Sequence, residues 1–124
     1  EDETHVVLSR HDFEVFEKVN AEMIKRLRVG GLEYLLQPDT SMEPVLKKDD
    51  QAIAINRPEI TRSGLYMFRN PKRTFVMRAN IMTDDTVELD YENPSYRSFG
   101  KVPFDRSKLT CVGPVVFRIL GDDK

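Results

Sequence analysis

The sequence predicts a mainly β (β-rich α+β) domain that carries one N-terminal amphipathic helix. Helical periodicity is confined to the first thirty residues, where Phe13, Phe16, Val19, Met23, Ile24 and Leu27 recur on one face. From Leu32 onward the chain offers about seven short β-prone runs instead. Turn-forming stretches separate those runs, at Asn70-Pro71, Asp84-Asp85 and Asn93-Pro94. An amphipathic helix followed by a series of hairpins is the pattern of a sheet built by local reversals.

Taken in order, the acidic residues Glu1-Asp2-Glu3 lead into Val6-Val7-Leu8, which reads as a short edge strand or a linker end. Ser9, with Asp12 three residues on, resembles a capping box and opens a helix over 9–28. Glu14 and Glu17 lie early and Lys25, Arg26 and Arg28 late, which suits the helix macrodipole. Gly30-Gly31 stops it. Strands follow at 32–36, 51–55, 65–68, 74–80 and 86–89, near Val102 and at 109–119. Residues 70–73 form a hairpin turn, and Gly113-Pro114 implies a bend or bulge in the last strand. The organisation is an N-terminal segment with the helix, 1–30, and a β domain, 31–124.

Composition narrows the function. With 124 residues, 40% hydrophobic and 32% charged, the chain is one globular domain able to bury a core. No apolar run approaches the ~20 residues of a membrane span, and the acidic start is the wrong chemistry for a signal peptide. The single cysteine, Cys111, excludes an internal disulfide and fits a reducing cytoplasm. A net charge of −2 argues against these residues gripping nucleic acid by themselves.

The chain is organised around Thr40-Ser41-Met42-Glu43-Pro44, between the runs 32–36 and 51–55. A serine between a strand and a helical turn either caps that turn or presents its hydroxyl as a nucleophile. For an isolated Ser-x-x-Pro, capping is the simpler role, because it needs no partner.

The motifs beyond Ser41 add to this. After Ser41-Met42-Glu43-Pro44 come Leu46-Lys47-Lys48-Asp49-Asp50, Gly64-Leu65-Tyr66 and Val76-Met77-Arg78, then Asn93-Pro94-Ser95-Tyr96 and Gly113-Pro114-Val115-Val116. Together they resemble the C-terminal domain of the LexA-like self-cleaving repressors, a family that includes the lambda-type phage repressors and UmuD. The resemblance runs from about Leu32 to Ile119. It implies a LexA/signal-peptidase-like domain of strongly bent sheets that pairs with itself as a homodimer or higher oligomer. It also implies a separate N-terminal helix-turn-helix domain, outside these residues, that binds operator DNA.

Family members cut their own linker with a Ser–Lys dyad. A serine hydroxyl is a poor nucleophile at neutral pH and needs a base, and a lysine serves only when desolvated. The family's Val-Lys-Arg reads Val76-Met77-Arg78 here. The resemblance therefore places the nucleophile position at Ser41 and the lysine position at Met77, whose thioether accepts no proton. Arg78 faces the other side of the strand, Lys72 lies in a turn, and His11, beside His5 the second of two histidines, falls on an exposed helical turn. The family's Ala-Gly or Cys-Gly scissile pair is also absent. Asp39-Thr40 replaces Gly-Asp, and Asp49 replaces a loop glycine, a place where aspartate tolerates the left-handed conformation.

The expected function is thus the oligomerisation and regulatory domain of a cytoplasmic transcriptional repressor of this kind, without self-cleavage. Its induction would come from an antirepressor or activator protein docking on the domain. The rival reading is an active Ser41 autoprotease using an unrecognised base, or a natural protein with lysine at position 77. A third is a stand-alone β-rich adaptor. No cofactor and no metal are expected: Asp84-Asp85 and Asp122-Asp123 read as solvated acidic pairs. Lys72-Arg73 and Arg78 are weak candidates for a phosphate contact against the acidic total. The Phe13/Phe16/Met23/Leu27 stripe reads as core, or as an intersubunit helix.

Overall fold

The computed structural model describes residues 5–29, 31–99 and 102–121. Its strands are β1 (Val6–Leu8), β2 (Leu32–Leu36), β3 (Gln51–Ile55), β4 (Gly64–Arg69), β5 (Thr74–Ile81), β6 (Val87–Asp90), β7 (Val102–Pro103) and β8 (Thr110–Ile119). Two helices, α1 (Arg10–Val19) and α2 (Ala21–Val29), lie between β1 and β2, and a 3-10 turn spans Pro94–Phe99. The eight strands run in the order β2-β3-β8-β4-β5-β6-β7, with β1 added on β8. Every pairing is antiparallel except β1 with β8. The protein is mainly β.

β8 is the strand on which the sheet turns. It pairs with β4 over Thr110–Pro114, with β3 over Val115–Ile119, and with β1 beside Phe117–Ile119. Two register shifts bend it: Val112 is extra opposite Met67/Phe68, and Val116 is extra opposite Ile53/Ala54. Gly113, between them, has φ +154, and a Cβ there would stand 1.7 Å from the Ile55 carbonyl oxygen. The bend expected at Gly113-Pro114 is present, and only glycine fits its tightest point.

β4 lies between β8 and β5, and its first five residues are buried. That is why Leu65-Tyr66-Met67-Phe68 reads as an unbroken apolar run. Leu65 and Met67 join Met42, Leu46, Ala52, Val76 and Val115 in one core cluster. Tyr66 and Phe68 face the other way, with Met77, Ala79, Leu89 and Cys111.

The single helix expected over 9–28 is two helices. Ser9 caps α1 as anticipated, its Oγ accepting the Asp12 amide at 3.0 Å. At Asn20 the backbone leaves the helical region (φ −112, ψ 37), and both the amide and the side-chain Nδ2 of Asn20 donate to the Phe16 carbonyl. Asparagine competes in this way for its own backbone partners, which ends α1 one residue before α2 begins. The break divides the apolar stripe. Phe13 and Phe16 pack edge-on against Phe117, with centroids 5.8 and 5.5 Å away, whereas Val19 and Met23 are exposed. The side chains of Ile24 and Leu27 lie outside the described residues.

Candidate functional site

Residues 37–50 leave β2 and return to β3 through a loop held at both ends. The Gln37 amide donates to the Asp50 carbonyl at 2.8 Å, and the Asp49 amide to the Gln37 carbonyl at 2.9 Å. Asp49 has φ +73, the left-handed conformation foreseen where the resemblance replaces a glycine. Asp50, 4% exposed, organises the exit. Its carboxylate accepts from the Lys47 and Gly121 amides at 2.9 Å each and from Arg118 Nε at 2.7 Å.

Within this loop, Met42 and Leu46 stand four apart on one helical turn, closed by the Leu46 amide donating to the Met42 carbonyl at 2.9 Å. Both are fully buried against β3, β4, β5 and β8. They press the turn onto the sheet, and Met42 shares its cluster with Val76 of β5. Thus the turn bearing Ser41 packs on the Val76 face of β5, opposite the face that carries the Met77 side chain. The Glu43–Pro44 peptide is cis.

Ser41 is 6% exposed, and its hydroxyl donates to Asp39 Oδ1 at 2.7 Å. The same oxygen accepts the Ser41 amide at 3.0 Å and Gln37 Nε2 at 3.2 Å. The side chain that gathers a backbone amide here is Asp39, and Ser41 is one of its donors. The spacing recurs twice. Asp84 Oδ1 accepts the Thr86 amide and hydroxyl at 3.1 and 2.6 Å, and Asp105 Oδ1 accepts those of Ser107 at 2.9 and 2.7 Å. Those two turns are fully exposed, and hydrogen bonding from Thr86 and Ser107 holds both carboxyls below the usual range. Ser41 therefore makes the local bond of an ordinary Asp-x-Ser turn.

The Asn93-Pro94-Ser95-Tyr96 motif closes over the same turn. The Asn93 amide donates to the Ser41 carbonyl at 2.9 Å, and Asn93 Nδ2 to the Thr40 carbonyl at 2.8 Å. The Tyr96 and Thr40 hydroxyls are 3.2 Å apart, and the Tyr96 ring tilts against Tyr91 with centroids 5.6 Å apart. Two motifs some fifty residues apart in sequence thus form one structural unit.

Met77 is 4% exposed and packs among Tyr66, Phe68, Ala79, Leu89 and Cys111. Its neighbours Val76 and Arg78 turn to the opposite face, as strand alternation requires, and that is the face on which the Ser41 turn packs; the expectation that position 77 faces Ser41 while Arg78 faces away is therefore corrected. Arg78 is ion-paired with Glu92 and lines, with His5, Val7, Pro44, Val45 and Arg118, an open cleft of about 530 Å³ beside the turn. Lys47, Lys48 and Lys72 are exposed, without the desolvation that a lysine base requires. His11 is exposed as well.

In the sequence Asp39 stands out only as a departure from the Gly-Asp of the resemblance, although its spacing of two from Ser41 is the readable sign of such a turn. Glu92, the partner of Arg78, carried no local sign. Among the described residues no three His, Cys, Asp or Glu side chains are grouped to hold a metal ion. Asp122-Asp123 lies outside the described residues. Among the described residues no helix is long and apolar enough to cross a membrane. A scan of the chain against protein-family models finds no match, and a search of curated proteins also finds none.

Proposed function

We propose that this chain is the self-association and regulatory domain of a cytoplasmic transcriptional regulator resembling the LexA-like and phage repressors, and that it does not cleave itself. The observation that carries the non-cleaving part is the Ser41 hydroxyl, buried and donating to Asp39 in a turn geometry that two exposed turns repeat. Met77, where the resemblance expects lysine, is a buried thioether that accepts no proton, and its side chain lies on the face of β5 opposite the one on which the Ser41 turn packs. The regulatory part rests on the ordered motifs of the resemblance. It gains support from the interlocking of two of them, since the Asn93 loop holds the Ser41 turn.

In this reading Ser41 has kept a structural role after the loss of a base. The domain acts by pairing, which raises the effective concentration of DNA-binding heads attached to it. Relief of repression then comes from a protein that docks on the domain.

Sedimentation equilibrium of the chain tests the pairing. A concentration-dependent dimer or higher oligomer is expected, and a chain that stays monomeric at its highest soluble concentration contradicts the reading.

A further inference from the structure

Cations gather at one end of the sheet. The β4–β5 turn region carries Arg69, Lys72 and Arg73, and the β7–β8 connection carries Arg106 and Lys108. All five are exposed, against a single acid in those stretches, Asp105, in a chain of net charge −2. The far end of β5 is acidic instead, with Asp84 and Asp85 in its turn to β6. Among the described residues Arg69 pairs with Glu33 at 2.6 Å, while Lys72, Arg73, Arg106 and Lys108 join no ion pair.

Two grooves run between these loops and share Asn70, Lys108 and Leu109. One, of about 330 Å³, has Arg69 and Arg106 on its walls. The other, of about 310 Å³, has an apolar floor that includes Phe75, Met77, Leu89 and Leu109, with Arg73 and Lys108 in its lining. Arg73 lies over the Phe75 ring at 5.0 Å and Arg106 over the Phe104 ring at 5.1 Å, contacts that hold the guanidinium groups in place. The site therefore combines an apolar recess with several positioned cations.

We propose that this paired groove binds an acidic peptide segment that bears apolar side chains, supplied by a partner protein. Exposed ion pairs contribute little singly, so a single small anion gains little here, whereas an extended segment engages several cations at once. The recess supplies what charge alone does not, a place to bury a leucine or phenylalanine side chain. Nucleic acid fits less well, because Asp105 lines the groove and the chain as a whole is acidic. Only the partner's regulatory role rests on the function proposed above; peptide binding is independent of self-association and of cleavage.

The test uses the whole chain and a fluorescein-labelled peptide of alternating aspartate and leucine, followed by fluorescence anisotropy. Saturable binding is expected, weakening with salt and falling by about tenfold or more in the double variant Arg73→Glu/Lys108→Glu. The equivalent reversal elsewhere, Lys47→Glu/Lys48→Glu, is expected to change it by less than about twofold. Labelled methionine methyls supply a readout on the unaltered protein: Met77 should shift on titration, and the fully buried Met42 and Met67 should not. Equal weakening by both double variants, an unmoved Met77 methyl, or no saturable binding overturns the proposal. So does tighter binding of an oligothymidylate of the same charge at the same residues.

Discussion

Asp39 Oδ1 receives both the hydroxyl and the amide of Ser41, at 2.7 and 3.0 Å, and Gln37 Nε2 approaches it at 3.2 Å. Three donors on one carboxylate oxygen occupy its lone pairs, so Asp39 acts as the anchor of the turn. Replacing it with alanine leaves a buried hydroxyl and amide without their acceptor, which costs about 1–3 kcal/mol. Ser41→Ala removes only one donor and should cost about 1 kcal/mol. Urea unfolding of the two variants should rank them in that order. A larger loss for Ser41→Ala would mean that the hydroxyl has a further structural partner.

The Asn93 side chain should hold the same turn from outside. Asn93→Ala removes the Nδ2 bond to the Thr40 carbonyl and the exposed Oδ1 bond from the Ser95 amide, while keeping the amide bond to Ser41. A loss of about 0.5–1.5 kcal/mol is expected. Hydrogen exchange should show faster local opening of residues 40–46 and little change in the β4–β5 pairing. Uniform acceleration across the sheet would contradict the local account.

The Asp50–Arg118 pair joins the end of the loop to β8, and its side chains are only 5% and 12% exposed. Removing one member of a buried pair strands the other's charge. Asp50→Ala should therefore cost about 3–5 kcal/mol, far more than the exposed pair Arg69–Glu33, whose loss should cost about 1 kcal/mol or less. Denaturant midpoints of Asp50→Ala and Glu33→Ala compare the two directly.

Burial pushes the Cys111 thiol up to about 11. An unfolded chain ionises its thiol near ~8.5, so between those values the folded state holds a proton that the unfolded state has released. The raised group contributes stability that is fully present below the unfolded value and is lost as pH rises toward the folded one. Unfolding midpoints should fall on going from pH 8 to pH 10, and the fall should be shallower in Cys111→Ala. An equal slope in the variant would place the alkaline sensitivity elsewhere. The same burial predicts slow reaction of the native protein with thiol reagents.

What the sequence made legible was local. The Ser9 cap, the Phe13/Phe16 face, the turn at 70–73, the left-handed Asp49 and the bend at Gly113 all follow from residues within a few positions of one another. Other features required distant partners. Val6–Leu8 becomes a strand only because β8 offers an edge more than a hundred residues later. The break at Asn20 interrupts an apolar stripe that reads as continuous. The role of the Asn93 motif lies in its bonds to Thr40 and Ser41, some fifty residues away in the chain. Asp39 lies between these cases: its spacing from Ser41 was readable, but the functional reading of the serine drew attention to a base elsewhere.

The most direct test of the central claim is the mass of the full-length protein after prolonged incubation at mildly alkaline pH, beside a Ser41→Ala control. The account predicts one unchanged mass in both samples, because the Ser41 hydroxyl is held in a turn by the Asp39 carboxylate and, among the described residues, no lysine or histidine is bonded to it. Fragments that appear in the parent protein and vanish in the control would contradict it, and would make Ser41 a working nucleophile.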